Sequence, residues 1–338
     1  MKKVRFGILS TANIGLQRVI PAMQKCERCS IDVIASRSLE SAQRAAERVG
    51  ISRALGSYEA LLADPSIDAI YNPLPNHLHV DWTIRALEAG KHVLCEKPLG
   101  MNADDARRLF AVRERSGRHA MEAFSPPFHP QWLKAREIAR SGRIGDIRAV
   151  QGFVSYFNVD PNNVRNRADI GGGGIMDIGC YLIFMTRWML DAEPTDVLSL
   201  VERDPVFGTD RLASAILRFP GVQATFACAT QLARYQRIGF FGTQGRIELE
   251  LPINAPPDRP SRIFIDDGRD MVLSGVETIE VPTANQFTLQ ADAFSRAVLG
   301  EIPVPIPLES SVANMRVIDA LFRSERTKQW EAVDGIRD

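Results

Sequence analysis

Residues 4–15 read Val4-Arg5-Phe6-Gly7-Ile8-Leu9-Ser10-Thr11-Ala12-Asn13-Ile14-Gly15, which is an apolar strand, a turn of small residues and the start of a helix. In register with the G-x-G-x-x-G turn of dinucleotide-binding βαβ units, Ser10, Ala12 and Gly15 take the three glycine positions. Small side chains still let the backbone approach a pyrophosphate at the amino end of the helix. The stretch therefore predicts a parallel α/β sheet. The residues expected to hold the dinucleotide there are Ser10, Thr11, Ala12, Asn13 and Ile14.

Short β-branched runs alternate with helical stretches up to about Ala123, which is typical of βαβ units around a parallel sheet. The predicted strands are Val4 to Leu9, Ile31 to Ala35, Ala69 to Tyr71, His92 to Cys95 and His119 to Ala123. The predicted helices are Ile14 to Met23, Leu39 to Val49, Tyr58 to Leu62, Val80 to Ala89 and Ala103 to Ser116. The predicted helix caps are Ser38 and Asn102, and the predicted terminators are Gly50, Gly90 and Gly117.

After Pro126-Pro127 the sequence changes to long strand-like runs with few helices between them. The predicted strands there are Ile147 to Phe157, Val197 to Glu202, Ala213 to Phe219, Gln223 to Ala229, Arg237 to Phe241, Arg246 to Leu251 and Arg262 to Ile265. The predicted helices are Gln131 to Ser141, Phe287 to Leu299 and Ser310 to Arg323. Turn signals such as Pro220-Gly221 separate close neighbours, so these strands are predicted to be antiparallel.

Length and charge restrict the class of protein. At 338 residues and 45% hydrophobic, the chain exceeds the ~250 to 300 residues at which single cores split. We expect a Rossmann dinucleotide-binding domain over residues 1–123 and a substrate-binding α+β domain over residues 124–338, with a large, mainly antiparallel open sheet. The 41 basic and 41 acidic residues give a net charge of zero, which provides no field to attract nucleic acid or a membrane surface. A small-molecule partner is therefore expected.

Location and metal content can also be predicted. The amino terminus lacks a signal-peptide pattern. The apolar stretch Ile175 to Leu190 is interrupted by Asp177 and Arg187 and is shorter than the ~20 residues of a membrane span. Five cysteines without a secretory signal are typical of reduced thiols, so we expect a cytoplasmic protein. Cys26-x-x-Cys29 has no further ligands at matching spacing nearby, so no metal site is expected and both cysteines are predicted in a loop after the first helix.

The choice of dinucleotide depends on the end of the second predicted strand, Ile34-Ala35-Ser36-Arg37. About 20 residues after the phosphate turn, NAD enzymes usually carry Asp or Glu for the ribose hydroxyls. This chain has Ser36 and Arg37 instead, and a guanidinium binds a 2′-phosphate with a forked pair of hydrogen bonds. The sequence therefore predicts preference for NADP. In the alternative, Arg37 is a solvated loop residue and NAD is accepted too.

A cation follows the fourth predicted strand, where His92-Val93-Leu94-Cys95 leads directly into Glu96-Lys97-Pro98. Ligands of open α/β sheets bind outside the carboxyl ends of the strands, so Lys97 is a candidate site residue. The alternative is a surface lysine in a strand-to-helix loop. The Tyr71 to His79 loop follows the preceding strand and is expected beside the same crevice. Its histidines, His77 and His79, are predicted to be neutral and to cap the next helix rather than to bind metal.

Four consecutive glycines, Gly171 to Gly174, precede a second candidate cluster. Asp177 and Tyr181 are four residues apart, so a helix would bring both side chains to one face. Backbone rich in glycine beside a helix start suits close approach of a ligand. The alternative is a glycine hinge followed by a core tyrosine.

The combination of a Rossmann half, Glu96-Lys97-Pro98 and the Gly171 to Tyr181 pattern resembles the Gfo/Idh/MocA oxidoreductase family over essentially the whole chain. Further matches are Glu122-Ala123-Phe124, Phe128-His129-Pro130-Gln131, Asn163-Val164-Arg165 and Asn285-Gln286-Phe287-Thr288. The phosphate turn, Ser36-Arg37 and Tyr181 in place of His are most similar to the branch that holds D-xylose dehydrogenase, glucose-fructose oxidoreductase and dihydrodiol dehydrogenase. Ser125-Pro126-Pro127 departs from the bulkier residues of that branch.

The resemblance implies hydride transfer between nicotinamide C4 and a carbinol or carbonyl carbon of a sugar or related cyclic polyol. Tyr181 would be the general acid/base, and Lys97 would favour its phenolate, since a free tyrosine has a pKa of ~10. Asp177 would orient sugar hydroxyls or Lys97. The weaker candidates for substrate contacts are Tyr156, Asn163 and Arg165. The cofactor contacts implied beyond the phosphate turn are Ser36, Arg37, Asn72, Pro73, Leu74, Asn76, His79, Glu96, Lys97 and Glu122.

Two other functions are considered. One is a 3-ketoreductase of a nucleotide-linked deoxysugar, and the other is a nonenzymatic NADPH-binding sensor. A sensor needs none of Lys97, Asp177 and Tyr181, so their joint presence argues against it. The family resemblance further implies a homodimer or homotetramer that forms through the open face of the second domain's sheet.

Overall fold

The computed structural model describes residues 2–333, which form two compact units. Of these described residues, the first unit comprises 2–125 and 286–312, and the second comprises 126–285 and 313–333. The segment Gln286–Val312, which the sequence places in the second domain, thus packs with the first unit. Phe294 from this segment is fully buried and its ring lies 6.2 Å from that of Phe6.

The first unit contains a six-stranded parallel sheet of order β3-β2-β1-β4-β5-β6. Its strands are β1 (Val4–Leu9), β2 (Cys29–Ala35), β3 (Arg53–Leu55), β4 (Ala69–Asn72), β5 (His92–Cys95) and β6 (Ala120–Glu122). The strand order reverses direction between β1 and β4, which is the switch point where open α/β sheets bind ligands. The predicted Rossmann sheet is confirmed, with the short edge strand β3 missed from the sequence.

The helices of this unit follow the predicted pattern. A π-helical segment, Gly15–Val19, continues as α1 (Ile20–Met23), and then come α2 (Leu39–Val49), α3 (Tyr58–Leu62), α4 (His79–Glu88) and α5 (Ala103–Ser116). Ser38 and Asn102 are N-caps, because their side chains accept hydrogen bonds from the third following backbone N–H. Gly50 and Gly117 end α2 and α5 in the left-handed conformation, as predicted.

The Cys26-x-x-Cys29 prediction is wrong in one part. Cys26 follows α1, but Cys29 is the first residue of β2 rather than a loop residue. Both thiols are buried, and Cys29 Sγ lies 3.3 Å from the backbone oxygen of Met23. The strand begins earlier than predicted because Cys29 and Ser30 already pair with Val4 and Arg5.

The second unit contains a nine-stranded sheet of order β14-β13-β12-β11-β7-β10-β9-β8-β15. Its strands are β7 (Ile147–Phe157), β8 (Asp196–Arg203), β9 (Asp210–Phe219), β10 (Val222–Ala229), β11 (Gln231–Gly242), β12 (Arg246–Leu249), β13 (Ser261–Asp266), β14 (Glu277–Val281) and β15 (Glu331–Ala332). The remaining helices of the chain are α6 (Pro130–Arg140), α7 (Cys180–Leu190), α8 (Gln286–Val298) and α9 (Leu308–Thr327). The strands β14 and β15 were not predicted.

One strand pair in this sheet is parallel. Phe226 of β10 lies opposite Gly152 of β7, and these two strands run in the same direction, whereas all other described pairs in the sheet are antiparallel. The prediction of antiparallel strands is thus wrong for this pair. Hairpin turns report only the direction of consecutive strands, and β7 and β10 are separated by α7, β8 and β9.

Helix α7 covers one face of the sheet and leaves the other face open. Along β7, Val150 and Val154 are buried while Gln151 and Phe157 are exposed, as expected for a sheet with one covered face. A Cβ atom at Gly152 would lie 2.8 Å from the side chain of Leu182, so the glycine lets α7 pack closely. Residues 168–190 are long and apolar enough to cross a membrane, but this stretch is mostly buried inside the protein, as in a core helix.

Candidate active site

The phosphate turn keeps a glycine-like backbone at a serine. Ser10 has φ of 90°, in the left-handed region that residues with a side chain rarely adopt. Its N–H donates to Ala35 O at 2.9 Å, and its Oγ accepts from the N–H of Ala12 at 3.3 Å. Thr11 and Asn13 follow in the turn that opens the π-helical segment. The first fingerprint position therefore keeps its conformation although its residue type has changed.

The end of β2 carries the residues predicted to choose the dinucleotide. Ser36 is nearly buried, and its N–H donates to Leu55 O at 3.0 Å. Arg37 is exposed and lies beside the hydroxyl of Tyr58. Burial raises the pKa of Tyr58, and the charge and hydrogen bond of Arg37 oppose that rise. A guanidinium thus stands at the strand end where an acidic residue would bind ribose hydroxyls.

Asn72 ends β4 and organises the loop after it. Its Nδ2 lies 3.2 Å from His79 O and 3.3 Å from Thr83 Oγ1, and its Oδ1 accepts from the N–H of Leu74 at 3.3 Å. The side chain is fully buried. Asn72, predicted as a cofactor contact, therefore positions the loop that carries the other predicted contacts. Those contacts are Pro73, Leu74 and Asn76.

His79 connects two loops rather than capping a helix, so that part of its prediction is wrong. It is the first residue of α4 and is 1% exposed. Its Nδ1 lies 2.8 Å from Pro98 O and its Nε2 lies 2.6 Å from Leu74 O. Burial lowers its pKa to about 4, against the contacts with Pro98 O and Leu74 O, which raise it. The ring thus lies between the loops that follow β4 and β5, and in its neutral form it donates to one of the two carbonyl oxygens.

Charged side chains gather where β5 and β6 end. Tyr71 donates from its hydroxyl to Glu96 Oε1 at 2.7 Å, and Lys97 is half-buried. Glu122 is 1% exposed. Burial raises the pKa of Cys95, and the charges of Glu122 and Glu96 raise it further. The first unit therefore brings the predicted cofactor residues of β1, β2, β4, β5 and β6 to one edge of its sheet, the edge that binds ligands in this architecture.

The second unit contains a cluster around Asp177. Its Oδ2 accepts from Tyr156 Oη at 2.7 Å and from Arg165 Nε at 2.8 Å. Tyr156 lies on β7, and Arg165 lies in the 3₁₀ turn Val164–Asn166. Asn163 caps that turn by accepting from the N–H of Arg165 at 3.1 Å. Of the predicted substrate contacts, Tyr156 and Arg165 thus bind Asp177 directly, and Asn163 caps the turn that carries Arg165.

The helix that carries Asp177 and Tyr181 is not a regular α-helix. Asp177 lies in a π-helical segment, Ile175–Gly179, and Tyr181 lies in the first turn of α7. The predicted helix is present, but its first turn is π-helical. Single-turn π segments inside helices are frequent at functional sites.

Charges in the cluster reinforce one another. Asp177 is the largest cause of a raised pKa of Arg165, and the negative charge of an ionised Tyr181 contributes to it as well. Burial raises the pKa of Tyr156, with the charge of Asp177 as the next cause. Arg165 is therefore a permanent cation and Tyr156 a protonated donor. Tyr181 is near enough to Arg165 for its charge to act on the guanidinium.

The glycine run is explained by neighbouring protein rather than by room for a ligand. A Cβ at Gly172 would lie 2.5 Å from Arg165 O. A Cβ at Gly173, where φ is +119°, would lie 1.9 Å from Asp210 Oδ1. We expected this backbone to approach a ligand. In the structure it instead lies close to the backbone of Arg165 and to the side chain of Asp210. Asp210 was missed from the sequence because no motif surrounds it.

Comparisons with known proteins are consistent with both halves. The family model described as an oxidoreductase family with an NAD-binding Rossmann fold matches residues 4–124. The model described as the GFO/IDH/MocA C-terminal domain matches residues 132–248. Together the two models span the parallel sheet of the first unit and the cluster around Asp177 in the second.

Two curated relatives and one solved structure show the range of similarity. The chain is 47% identical to an uncharacterized oxidoreductase, ORF334, of Rhizobium meliloti, over 98% of this chain and 100% of the relative. It is 38% identical to D-xylose 1-dehydrogenase (NADP(+)) 2 of Haloferax volcanii, over 95% and 97%. The structure of KijD10, a 3-ketoreductase from Actinomadura kijaniata in complex with NADP and TDP-benzene, matches with a TM-score of 0.88 at 31% identity, over 96% of this chain and 98% of that one.

Proposed function

The chain belongs to the Gfo/Idh/MocA family of oxidoreductases, and from this premise we propose that it transfers hydride between NADP(H) and a carbinol or carbonyl carbon of a sugar or related cyclic polyol. Its relatives are named dehydrogenases and reductases of sugars, so it is an oxidoreductase of sugar or deoxysugar substrates. The observation that carries the finer proposal is the Tyr156–Asp177–Arg165 cluster, which stands beside Tyr181.

The residues present fit an NADP cofactor. The left-handed Ser10 and the small residues after it would let the backbone at the helix start approach a pyrophosphate. Ser36 and Arg37 would hold the 2′-phosphate, and the loops organised by Asn72 and His79 would hold the nicotinamide half. The cofactor, when bound, supplies or accepts the hydride. NADP is also the cofactor named for the D-xylose dehydrogenase relative and for the KijD10 complex.

Tyr181 is the proposed acid/base. In the oxidation direction its phenolate takes the proton of the substrate hydroxyl, and in reduction its phenol returns a proton to the carbonyl oxygen. Arg165 stabilises the phenolate, and Lys97 is the proposed assisting cation, which would hydrogen-bond the substrate. Asp177, fixed by Tyr156 and Arg165, would orient a sugar hydroxyl.

A second substrate class is kept as an alternative, namely the 3-keto group of a nucleotide-linked deoxysugar. It is favoured by the match to KijD10, whose complex contains TDP-benzene, and by relatives named dTDP-3,4-didehydro-2,6-dideoxy-alpha-D-glucose 3-reductase at 33% identity. The free-sugar class is favoured by the higher identity, 38%, to the D-xylose enzyme. The sensor alternative is dropped, since the named relatives are enzymes.

The test is NADP⁺ reduction across aldoses, cyclic polyols and dihydrodiols, with NADPH oxidation by keto sugars and nucleotide-linked keto sugars in parallel. Turnover of a free sugar supports the main proposal, and turnover confined to nucleotide-linked sugars supports the alternative. Lys97→Ala and Tyr181→Phe should each reduce turnover by about 10² to 10⁴-fold, the usual contribution of acid–base catalysis. NADPH fluorescence titrations should stay unchanged in Tyr181→Phe, because Tyr181 is not among the proposed cofactor contacts. Near-normal turnover in either variant would contradict the assigned roles.

We further propose a homodimer or homotetramer that forms through the open face of the nine-stranded sheet. This face exposes Leu200 to 72% and Tyr235 to 51%. It contains a cavity of about 820 Å³ lined mainly by apolar and small side chains around Phe153 and Phe241, with Arg237, Glu248 and Lys328 also in its lining. Large exposed apolar patches mark association sites, and the two sheets of such a dimer would bury each other's apolar residues.

A cytoplasmic location is also proposed. All five cysteines are free thiols, which supports a reducing compartment.

A further inference from the structure

Asp210 is a buried carboxyl for which the proposed chemistry has no role. It is the first residue of β9 and is 1% exposed. Its Oδ2 accepts from the backbone N–H of Ile175 at 2.6 Å. Ile175 opens the π-helical segment that leads into α7, and the first N–H groups of a helix have no partner within the helix. A strand residue 35 positions away therefore caps the helix that carries Asp177 and Tyr181.

The glycine run is shaped around this carboxyl. Gly173 has φ of +119°, and a Cβ there would lie 1.9 Å from Asp210 Oδ1. A Cβ at Gly174 would lie 3.3 Å from Asp210 O and 3.4 Å from Asp210 Oδ2. No side chain fits at Gly173 while Asp210 keeps its place. The Asp210 carboxyl is thus a buried acceptor that packs directly against the glycine backbone of the turn.

The groups around Asp210 come from every element packed against it. Arg203 of β8 and Glu325 of α9 form an ion pair at 2.6 Å, and their charges act on Asp210 in opposite directions. Cys228 of β10 and Tyr156 of β7 are neutral neighbours, since burial raises the pKa of each. Asp177 adds a further negative charge to this environment.

We propose that Asp210 is a positioning residue, whose ionised carboxylate fixes the glycine turn and thereby sets the placement of Asp177 and Tyr181. The proposal rests on the proposed function, in which Tyr181 is the acid/base. A carboxylate at a helix amino terminus is stabilised by the helix dipole as well as by the N–H of Ile175, and both interactions weaken on protonation. The protonated enzyme then holds its acid/base less firmly.

The ionisation of Asp210 changes in the neutral pH range. Burial is the main cause that raises the pKa of Asp210 to about 7, against hydrogen bonds from Ile175 N–H and from its own backbone. The carboxyl is then half-ionised near neutrality. The turnover number should rise with pH through a step centred near 7, separate from the ionisation of Tyr181.

The experiment is kinetics of Asp210→Asn, which keeps the shape of the side chain and removes its charge. We expect kcat to fall on the order of tenfold at pH 8, because misplacing a catalytic group by a fraction of an ångström slows the reaction by about that factor. The step in kcat near pH 7 should also disappear. NADPH affinity should stay within about twofold, because the proposed cofactor residues lie in the first unit. Asp204→Asn is the matched control: Asp204 is a buried carboxyl that accepts from the N–H groups of Val206 and Phe207 in a turn of the same unit.

A measurement on the unmodified protein applies even if the Asn variant fails to fold. In protein labelled with ¹⁵N-isoleucine, the amide of Ile175 should shift with pH, and its midpoint should match that of kcat. An Asp210→Asn enzyme with kcat within twofold of wild type and the same pH profile would overturn the proposal, as would an Ile175 amide that does not shift between pH 5 and 9. Undiminished turnover in Tyr181→Phe would instead refute the proposed function, which separates the two failures.

Discussion

Arg165 and Asp177 are joined by an ion pair of 2.8 Å between Nε and Oδ2, and Tyr156 donates to the same oxygen. In the proposed mechanism the guanidinium pairs with the carboxylate of Asp177 and also stabilises the phenolate of Tyr181. Arg suits this position because it stays charged at all pH values.

Replacement of Arg165 by Met should impair proton transfer. The phenolate of Tyr181 loses a nearby cation, so the pH at which kcat for alcohol oxidation is half-maximal should move upward by about one unit or more. Arg167→Met is the control, because Arg167 is exposed and pairs with Asp169 at 2.7 Å instead. An unchanged pH profile in Arg165→Met would show that its charge does not act on Tyr181.

Arg37→Ala should change the choice of cofactor. A hydrogen bond to a charged group contributes ~1.5–3 kcal/mol, so the affinity for NADPH should fall roughly ten- to hundredfold while that for NADH stays the same. The control is Arg44→Ala, since Arg44 is also exposed but pairs with Glu40 on α2. Fluorescence titration with each cofactor measures the result. An unchanged NADPH to NADH ratio would remove Arg37 from the 2′-phosphate site.

Ser10→Gly should stabilise the protein. A left-handed residue with a side chain carries strain of order 1 kcal/mol, which glycine relieves, although the loss of the Ser10 Oγ to Ala12 bond opposes part of the gain. We expect a net rise in the free energy of unfolding of up to about 1 kcal/mol, measured by urea denaturation. Thr11→Gly, at a neighbouring position without positive φ, should instead lower stability by roughly 0.5–1 kcal/mol. Equal effects of the two changes would show that Ser10 is not strained.

Leu200→Lys should disrupt the proposed oligomer. Leu200 is 72% exposed on the open face, and a charge there would be buried without a partner in a sheet-to-sheet contact. Light scattering at micromolar concentration should show monomer for this variant and dimer or tetramer for wild type. Met271→Lys is the control, because Met271 is 96% exposed in the loop between β13 and β14. A monomeric wild type would refute the assembly.

The sequence predicted most of the first unit, and the reasons are local. Helix caps such as Ser38 and Asn102 and the buried runs of β1 and β5 are encoded within a few residues, so their positions could be predicted from the sequence. Edge strand β3 was missed because three residues carry too little pattern. The segment Gln286–Val312 was assigned to the second domain although it packs with the first unit, because the sequence does not reveal which sheet a distant helix covers.

The site in the second unit was harder to predict from the sequence. Asp177 and Tyr181 were found because they share one helix, whereas their supports depend on contacts between distant elements. Asp210 lies 35 residues from the amide it binds, and an Asp between a turn and a strand has no recognisable motif. The glycine run was visible, but its cause was not, because the atoms that exclude a side chain belong to Asp210. Parallel pairing of β7 with β10 escaped prediction for the same reason.

Asp210→Asn should make the protein more stable while making it less active. The pKa of Asp210 is about 7 in the folded protein and takes its ordinary value, 3.8, in the unfolded chain. The folded state thus binds more protons, so the stabilisation from this carboxyl is fully present below pH 3.8 and is lost as the pH rises through about 7. An Asn at this position does not titrate. The stability advantage of Asp210→Asn over wild type should therefore widen by roughly 3 kcal/mol between pH 5 and pH 8.5.

Urea denaturation at both pH values measures this difference in the free energy of unfolding. The control is Asp204→Asn, which should show no such widening because the pKa of Asp204 is lowered in the folded protein. A constant difference between Asp210→Asn and wild type would mean that Asp210 is ionised throughout this range. Its buried charge would then be a permanent cap rather than one that protons can remove.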